Sequence, residues 1–196
     1  MFKILRFYEG GVFISAVWPI KAEEIDGYLK TLKSRSGPEF ALLAFIGIKT
    51  GLRVSDLLKL KYGAFKEQKK VLQVQEGKTG KSKRIEITSE LRKAVLDLKR
   101  FTASADTAFI FQGKEAGKAM HRSTAYRHLK RAGDACGLER VGTHSLRKSY
   151  AQGLYTDSKG DLDFVQKELN HKHQETTLHS YILAGVDIKK LLHPLS

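Results

Sequence analysis

Residues 39–58 read EFALLAFIGIKTGLRVSDLL, a strongly apolar run followed at once by a charged one. Phe40, Leu42, Leu43, Phe45, Ile46 and Ile48 leave no polar face on a helix through Glu39–Lys49. A helix apolar on all sides is a buried one, so other elements must surround it. Thr50 and Gly51 supply its stop signal, glycine being favoured just past a helix end. The chain then restarts as Thr50-Gly51-Leu52-Arg53-Val54-Ser55-Asp56-Leu57-Leu58, and Val54–Leu60 reads as a further helix with Leu57, Leu58 and Leu60 inward.

The surrounding elements are legible on both sides. Ile20, Ile25, Leu29 and Leu32 recur at helical spacing, with Glu23 and Glu24 near the positive end of the dipole, so Lys21–Lys33 is an amphipathic helix. Ser34–Pro38 is a turn. After the buried helix the period changes. Val71, Leu72 and Val74 form a short β-rich run, and Arg84-Ile85-Glu86-Ile87-Thr88 alternates as a half-buried strand does. Gly77-Lys78-Thr79-Gly80-Lys81-Ser82-Lys83 between them reads as a hairpin loop. Helices follow at Ser89–Phe101 and Ser123–Ala135, with a short apolar stretch at Ala108–Phe111. From His144 onward the pattern is helical, broken at Gly160 and Asn170. The fold class is mainly α with a small antiparallel β-sheet (α+β).

Composition narrows the function. The chain has 196 residues, of which 41% are apolar and 29% charged, as expected for one folded domain with a short extension. No apolar run reaches membrane length. The apolar start, Met1–Trp18, is interrupted by Glu9, Gly10 and Gly11 and reads poorly as a signal peptide. Cys136 is the single cysteine, which excludes an internal disulfide and a zinc site built on paired cysteines. A reducing, cytoplasmic compartment is expected. The net charge of +14 favours a polyanionic partner, most often nucleic acid. Lys66, Lys69, Lys70, Lys78, Lys81, Lys83 and Arg84 form one basic segment; Arg122, Arg127, Lys130 and Arg131 form a second on a helix.

Three segments carry side chains suited to chemistry: Thr50–Leu58 with Arg53, Thr143-His144-Ser145-Leu146-Arg147, and Leu169-Asn170-His171 followed ten residues later by Tyr181. Taken singly each has an ordinary reading. Arg53 and Lys78 fit surface cations, His144 and Arg147 fit one solvated helical face, His171 fits a helix end, and Tyr181 fits a core ring with a wet hydroxyl. Together they make a phosphate chemistry. Two arginines can clamp a phosphodiester bidentately and neutralise the charge that grows in its transition state. Histidines can donate hydrogen bonds or move protons near neutral pH, a lysine can protonate a leaving oxygen, and a tyrosine can be a covalent nucleophile.

In this set and order the sequence resembles the catalytic domain of the tyrosine recombinases, the phage-integrase family. The resemblance rests on Arg53 in a T-G-x-R-x-[ST]-[DE]-L segment, Lys78 in a β-hairpin, His144 and Arg147 as H-x-x-R, His171 in L-[GN]-H, and Tyr181. It covers roughly Lys21 to Ile182. It implies the family's catalytic fold and a site-specific recombinase acting on double-stranded DNA through a 3′-phosphotyrosyl intermediate, in integration, excision, inversion or resolution. By the same resemblance Arg53 and Arg147 bind the scissile phosphate, and Lys78 is the general acid for the departing 5′-hydroxyl. His144 assists proton transfer, His171 stabilises the transition state, and Tyr181 attacks. No metal and no cofactor are implied. Asp56 matches the family's acidic position and is expected to support the site. Lys81 and Lys83 share the hairpin loop with Lys78, and His173 and His179 are read as peripheral.

The expected organisation is an N-terminal extension at 1–18, a catalytic domain at 19–183 and a C-terminal tail at 184–196. Family members mostly carry a helical DNA-binding domain before the catalytic one; only about twenty residues precede the pattern here. The chain is then either an excised fragment or a single-domain recombinase like the short fimbrial phase-switch enzymes. The apolar tail (Val186, Ile188, Leu191, Leu192, Leu195) either exchanges between protomers or folds on its own domain. A homotetramer on DNA and a nucleoid-associated location are implied by the resemblance alone. The rivals are a type IB topoisomerase-like enzyme, a non-catalytic DNA-binding accessory protein of the same fold and, more remotely, a phosphate-binding protein of unrelated fold.

Overall fold

The computed structural model describes residues 5–7, 13–15 and 17–184. Strands β1 (Leu5–Phe7) and β2 (Phe13–Ser15) pair antiparallel. Helices α1 (Ala22–Ser36), α2 (Pro38–Thr50) and the single turn α3 (Val54–Leu57) follow, then a 3₁₀ turn at Tyr62–Phe65. Strands β3 (Val71–Gln75) and β4 (Ser82–Glu86) form an antiparallel hairpin, with Leu72 opposite Ile85 and Gln75 opposite Ser82. The rest is helical: α4 (Ser89–Thr102), α5 (Arg122–Ala135), α6 (Thr143–Asp157), α7 (Leu162–Glu168), α8 (Gln174–Thr177) and a π-turn at Leu178–Ile182. The mainly α fold with a small antiparallel sheet is the one expected. Residues 185–196 and most of the N-terminal extension lie outside the described residues, and with them the question of the tail.

Helix boundaries follow local chemistry. Glu24 reaches back to the Lys21 N–H at 3.0 Å to start α1. Gly37, at φ 113°, joins α1 to α2, and Pro38 occupies the first turn of α2, where a missing N–H costs nothing. Thr88 caps α4 by accepting from the Leu91 N–H, and Asp161 caps α7 by accepting from the Phe164 N–H. Helix α3 is shorter than the Val54–Leu60 of the sequence reading. Lys59 and Leu60 close tight turns instead, and the Leu60 carbonyl accepts from Ile110, which draws the chain out of the helix.

The buried residues fall into two clusters. The large one joins α1, α2, α4, α5, the 3₁₀ turn and the inner face of the hairpin around Leu43, Ile46, Phe65, Val95, Phe111 and Leu129. The small one consists of Ala151, Val165, Leu169 and Ile182, with Tyr150, Leu154, Tyr155, Leu162, Leu178 and Tyr181 packed against it. Helix α6 spans both: Leu146 belongs to the first and Ala151 to the second. Among the described residues no helix is long and apolar enough to cross a membrane.

Candidate active site

The site is built where the buried helix α2 stops. Gly51 has φ 63°, a left-handed conformation that glycine adopts without strain. A Cβ there would also lie 2.1 Å from the Tyr150 ring. This turn does two things. It aims the Gly51 carbonyl at Arg147, whose Nη1 donates to it at 2.6 Å. It also starts α3 at Arg53, leaving that side chain 13% exposed at the domain face.

Arg147 is 1% exposed on α6. Its Nη2 donates to the Leu169 carbonyl at 2.6 Å, so its guanidinium links the end of α2 to the end of α7. Both arginines converge on Glu76, at the end of β3. Glu76 Oε1 lies 2.7 Å from Arg53 Nη1 and 3.6 Å from Arg147 Nη1. The 2.7 Å contact is a close ion pair not aligned as a hydrogen bond: Arg53 Nη1, Glu76 Oε1 and Arg147 Nε are buried without a hydrogen-bond partner. Burial alone would raise the Glu76 carboxyl. Contact with Arg53, the Thr79 hydroxyl and the charges of both arginines outweigh it and hold the group below its usual range.

His171 follows Asn170, which sits at φ 52°. Asparagine tolerates that left-handed conformation better than other side-chain-bearing residues, which gives the [GN] position of the sequence motif a physical basis. The ring of His171 is tilted 57° against that of Tyr181, with centroids 4.6 Å apart, and its Nδ1 is paired with Thr177 Oγ1 at 2.9 Å. Burial first, and then the charges of Arg147 and Arg53, push His171 down to about 3. His144, in the first turn of α6, is pushed down to about 4 by burial and by Arg122, Arg147 and Lys148. Both imidazoles are therefore neutral at neutral pH.

Arg53, Arg147, His171 and Tyr181 are thus tied into one network, with His144 within reach of its charges. Lys78 stands exposed at the hairpin turn, and its charge acts on His171. Asp56 anchors that turn, its Oδ1 accepting from the Gly77 N–H at 3.2 Å, in keeping with the supporting role expected of it. His173 is exposed at the start of α8.

Three residues stand in the site that the sequence did not single out for it. Glu76 is one. Lys83 is the second, and here the hairpin reading needs correction. Lys83 is not in the loop with Lys81 but on the inner face of β4, in step with Ile85. Its Nζ donates to the Thr50 carbonyl at 2.8 Å and lies 4.7 Å from the Tyr150 ring centroid. Burial pushes it down to about 8. The third is Lys148, next to Arg147, whose Nζ donates to the Val17 carbonyl at 2.7 Å and lies 5.8 Å from the Tyr181 ring centroid. Period-2 alternation extended one step back from Ile85 would have flagged Lys83. Glu76 and Lys148 act across long sequence separations and leave no local signal.

Known proteins resemble the chain in sequence and in fold. The sequence model of the phage integrase family matches residues 19–184. The chain is 33% identical over 172 residues to the probable integrase/recombinase YoeC of Bacillus subtilis, covering 87% of this chain and 91% of that protein. The fold resembles XerH site-specific recombinase bound to its difH substrate, with TM-score 0.66 and 23% identity over 89% of this chain and 52% of the other. It also resembles the lambda integrase tetramer bound to a Holliday junction, with TM-score 0.64 and 22% identity over 82% of this chain and 47% of the other. The chain therefore spans nearly all of the Bacillus protein but about half of these two recombinases.

Proposed function

The chain belongs to the phage integrase family, and from that premise we propose that it cleaves and rejoins double-stranded DNA as a site-specific tyrosine recombinase. The observation that carries the reading is the convergence of two arginines, from the start of α3 and from α6, beside the tilted His171–Tyr181 ring pair. Phosphoryl transfer asks mainly for positioning and charge stabilisation, and this arrangement supplies both.

In this reading Arg53 and Arg147 bind the scissile phosphate. A buried donor without an acceptor costs about 1–3 kcal/mol, and a phosphate oxygen would relieve that cost at Arg53 Nη1 and Arg147 Nε. The Tyr181 hydroxyl oxygen gives up its proton toward neutral His144 and attacks phosphorus, the P–O5′ bond breaks, and a 3′-phosphotyrosyl link forms. Lys78, exposed on its turn, gives a proton to the departing 5′ oxygen. His144, neutral beside several cations, assists proton transfer at the phosphate, and His171 donates a hydrogen bond to it. Attack by a 5′-hydroxyl reverses the sequence. The exposed cations Arg122, Arg127 and Arg131 on α5 extend the positive surface from His144 and suit the DNA backbone.

The wider architecture belongs to the same proposal: an extension at 1–18, a catalytic domain at 19–183, a tail at 184–196 that couples protomers, a tetramer on DNA, and a nucleoid-associated location. The XerH and lambda integrase complexes are consistent with DNA binding and assembly. Covalent trapping on nicked suicide DNA from the native locus tests the chemistry. Wild type should give a slow-migrating adduct on a denaturing gel and Tyr181→Phe none. Absence of adduct with intact DNA binding would favour an accessory protein. Strand exchange between two defined sites separates a recombinase from a topoisomerase-like enzyme, since both relax supercoils.

A further inference from the structure

Glu76 is the most completely buried carboxylate of the site, 0% exposed, and its partners come from four separate segments. Oε1 faces Arg53 from the turn before α3 and Arg147 from α6. Oε2 accepts from Thr79 Oγ1 at 2.8 Å, next to Lys78, and from Asn170 Nδ2 at 3.4 Å, next to His171. Its backbone closes the hairpin turn as well: the Glu76 N–H donates to the Lys81 carbonyl at 2.9 Å, and the Glu76 carbonyl accepts from the Gly80 N–H at 2.8 Å. An ordinary structural ion pair joins two residues. This one joins the residues, or their immediate neighbours, that carry four of the six proposed roles on four stretches of chain.

We propose that Glu76 is a positioning residue for the reaction: one carboxylate that holds Arg53 and Arg147 at a fixed spacing and ties them to the Lys78 hairpin and to the Asn170–His171 corner. The inference rests on the recombinase reading for its catalytic half. The physical case is electrostatic as well as geometric. Two guanidiniums this close repel each other, and a shared anion offsets that repulsion until a phosphate arrives. A displacement of about 1 Å in such a site can cost about a hundredfold in rate, so a fixed spacing has catalytic value. Glu76 does not touch the reacting atoms; it acts through the arginines and the hairpin.

The test uses the full chain with Glu76→Gln, close in shape but uncharged, Glu76→Asp, charged but shorter, and Glu76→Ala. Two readouts are taken: hydrogen exchange without DNA, and single-turnover adduct formation at saturating nicked DNA together with DNA affinity. Glu76→Gln should keep its circular dichroism and bind DNA within about twofold of wild type, while its cleavage rate falls about tenfold or more. Glu76→Asp should recover part of that rate, and Glu76→Ala should fall further. In Glu76→Gln the amides of Gly80 and Lys81 and those of Asn170 and His171 should lose protection together. Unchanged exchange at either segment overturns the tie, whatever the activity. Loosened exchange with an unchanged cleavage rate overturns the positioning role. Wild type that forms no adduct overturns the recombinase reading and the catalytic half of this proposal with it, while the exchange measurement still decides the tie.

Discussion

The large cluster that holds Arg53 and the small one that holds Tyr181 are packed to different depths. Around the first, Leu43, Ile46, Leu57, Phe65 and Phe111 are fully buried and come from helices and turns alike. The second has a buried apolar core of just Ala151, Val165, Leu169 and Ile182, while the aromatic rings beside them remain partly exposed. Segments with few buried apolar contacts open at lower free energy than the global transition. Tyr181, the proposed nucleophile, moreover sits on a π-turn, a motif frequent at functional sites. The arginine side of the site is therefore rigid and the tyrosine side yielding. Arg147 lies at the seam, enclosed by the Leu169 carbonyl from the yielding side and by Glu76 from the hairpin. Access of a phosphate to it requires one of these to give, and the packing says that the Leu169–Ile182 side gives more easily.

The largest expected effect comes from the chemistry on the yielding side. Tyr181→Phe removes one partly exposed hydroxyl, so adduct formation should vanish while the thermal midpoint stays close to wild type. A large drop in that midpoint would mean that Tyr181 is structural and would break the contrast. On the rigid side, Leu43→Ala should destabilise the whole chain by about 2–5 kcal/mol in denaturant titration, the range for a large-to-small change in a packed core. Gly51→Ala comes next. It forces a Cβ against the Tyr150 ring in a left-handed backbone, so a loss of about 1–3 kcal/mol is expected, together with displacement of the carbonyl that orients Arg147. Val165→Ala sharpens the comparison by acting locally. Exchange protection should fall across residues 162–182 while the denaturation midpoint of the rigid side hardly moves; a global shift of the Leu43→Ala size would show one cooperative unit instead of two.

The mildest lever is pH. His144 and His171 are held at about 4 and about 3 in the fold, below the unfolded value of about 6.5. Between those limits the unfolded chain binds more protons than the folded one, so stability is full above about pH 6.5 and declines as pH falls toward 4 and then 3. Both groups belong to the site, so hydrogen exchange should show the decline first at His171 and its neighbours on the yielding side.

The contrast also explains what the sequence could reveal. Helix α2 and the stop at Gly51 were readable because an all-apolar run followed by glycine is a local signal. The hairpin was readable because alternation is local too, although its inner face continued to Lys83, which a cluster of neighbouring lysines disguised as loop. Arg53, His144, Arg147, His171 and Tyr181 were legible from their order along the chain. What joins them was not. Glu76 gains its meaning from Arg53, Arg147 and Asn170, partners 23, 71 and 94 positions away, and no periodicity reports such contacts. The division into two clusters was equally hidden, because α6 reads as one uninterrupted helix while serving both.

In the proposed reaction Tyr181, on the yielding side, attacks a phosphate held by arginines on the rigid side. The most direct measurement is to trap the protein on nicked suicide DNA, digest the adduct and identify the DNA-linked residue by mass spectrometry. A phosphotyrosyl link is expected at Tyr181 and nowhere else. A link at Tyr150 or Tyr155, or DNA bound with no covalent link, would contradict it.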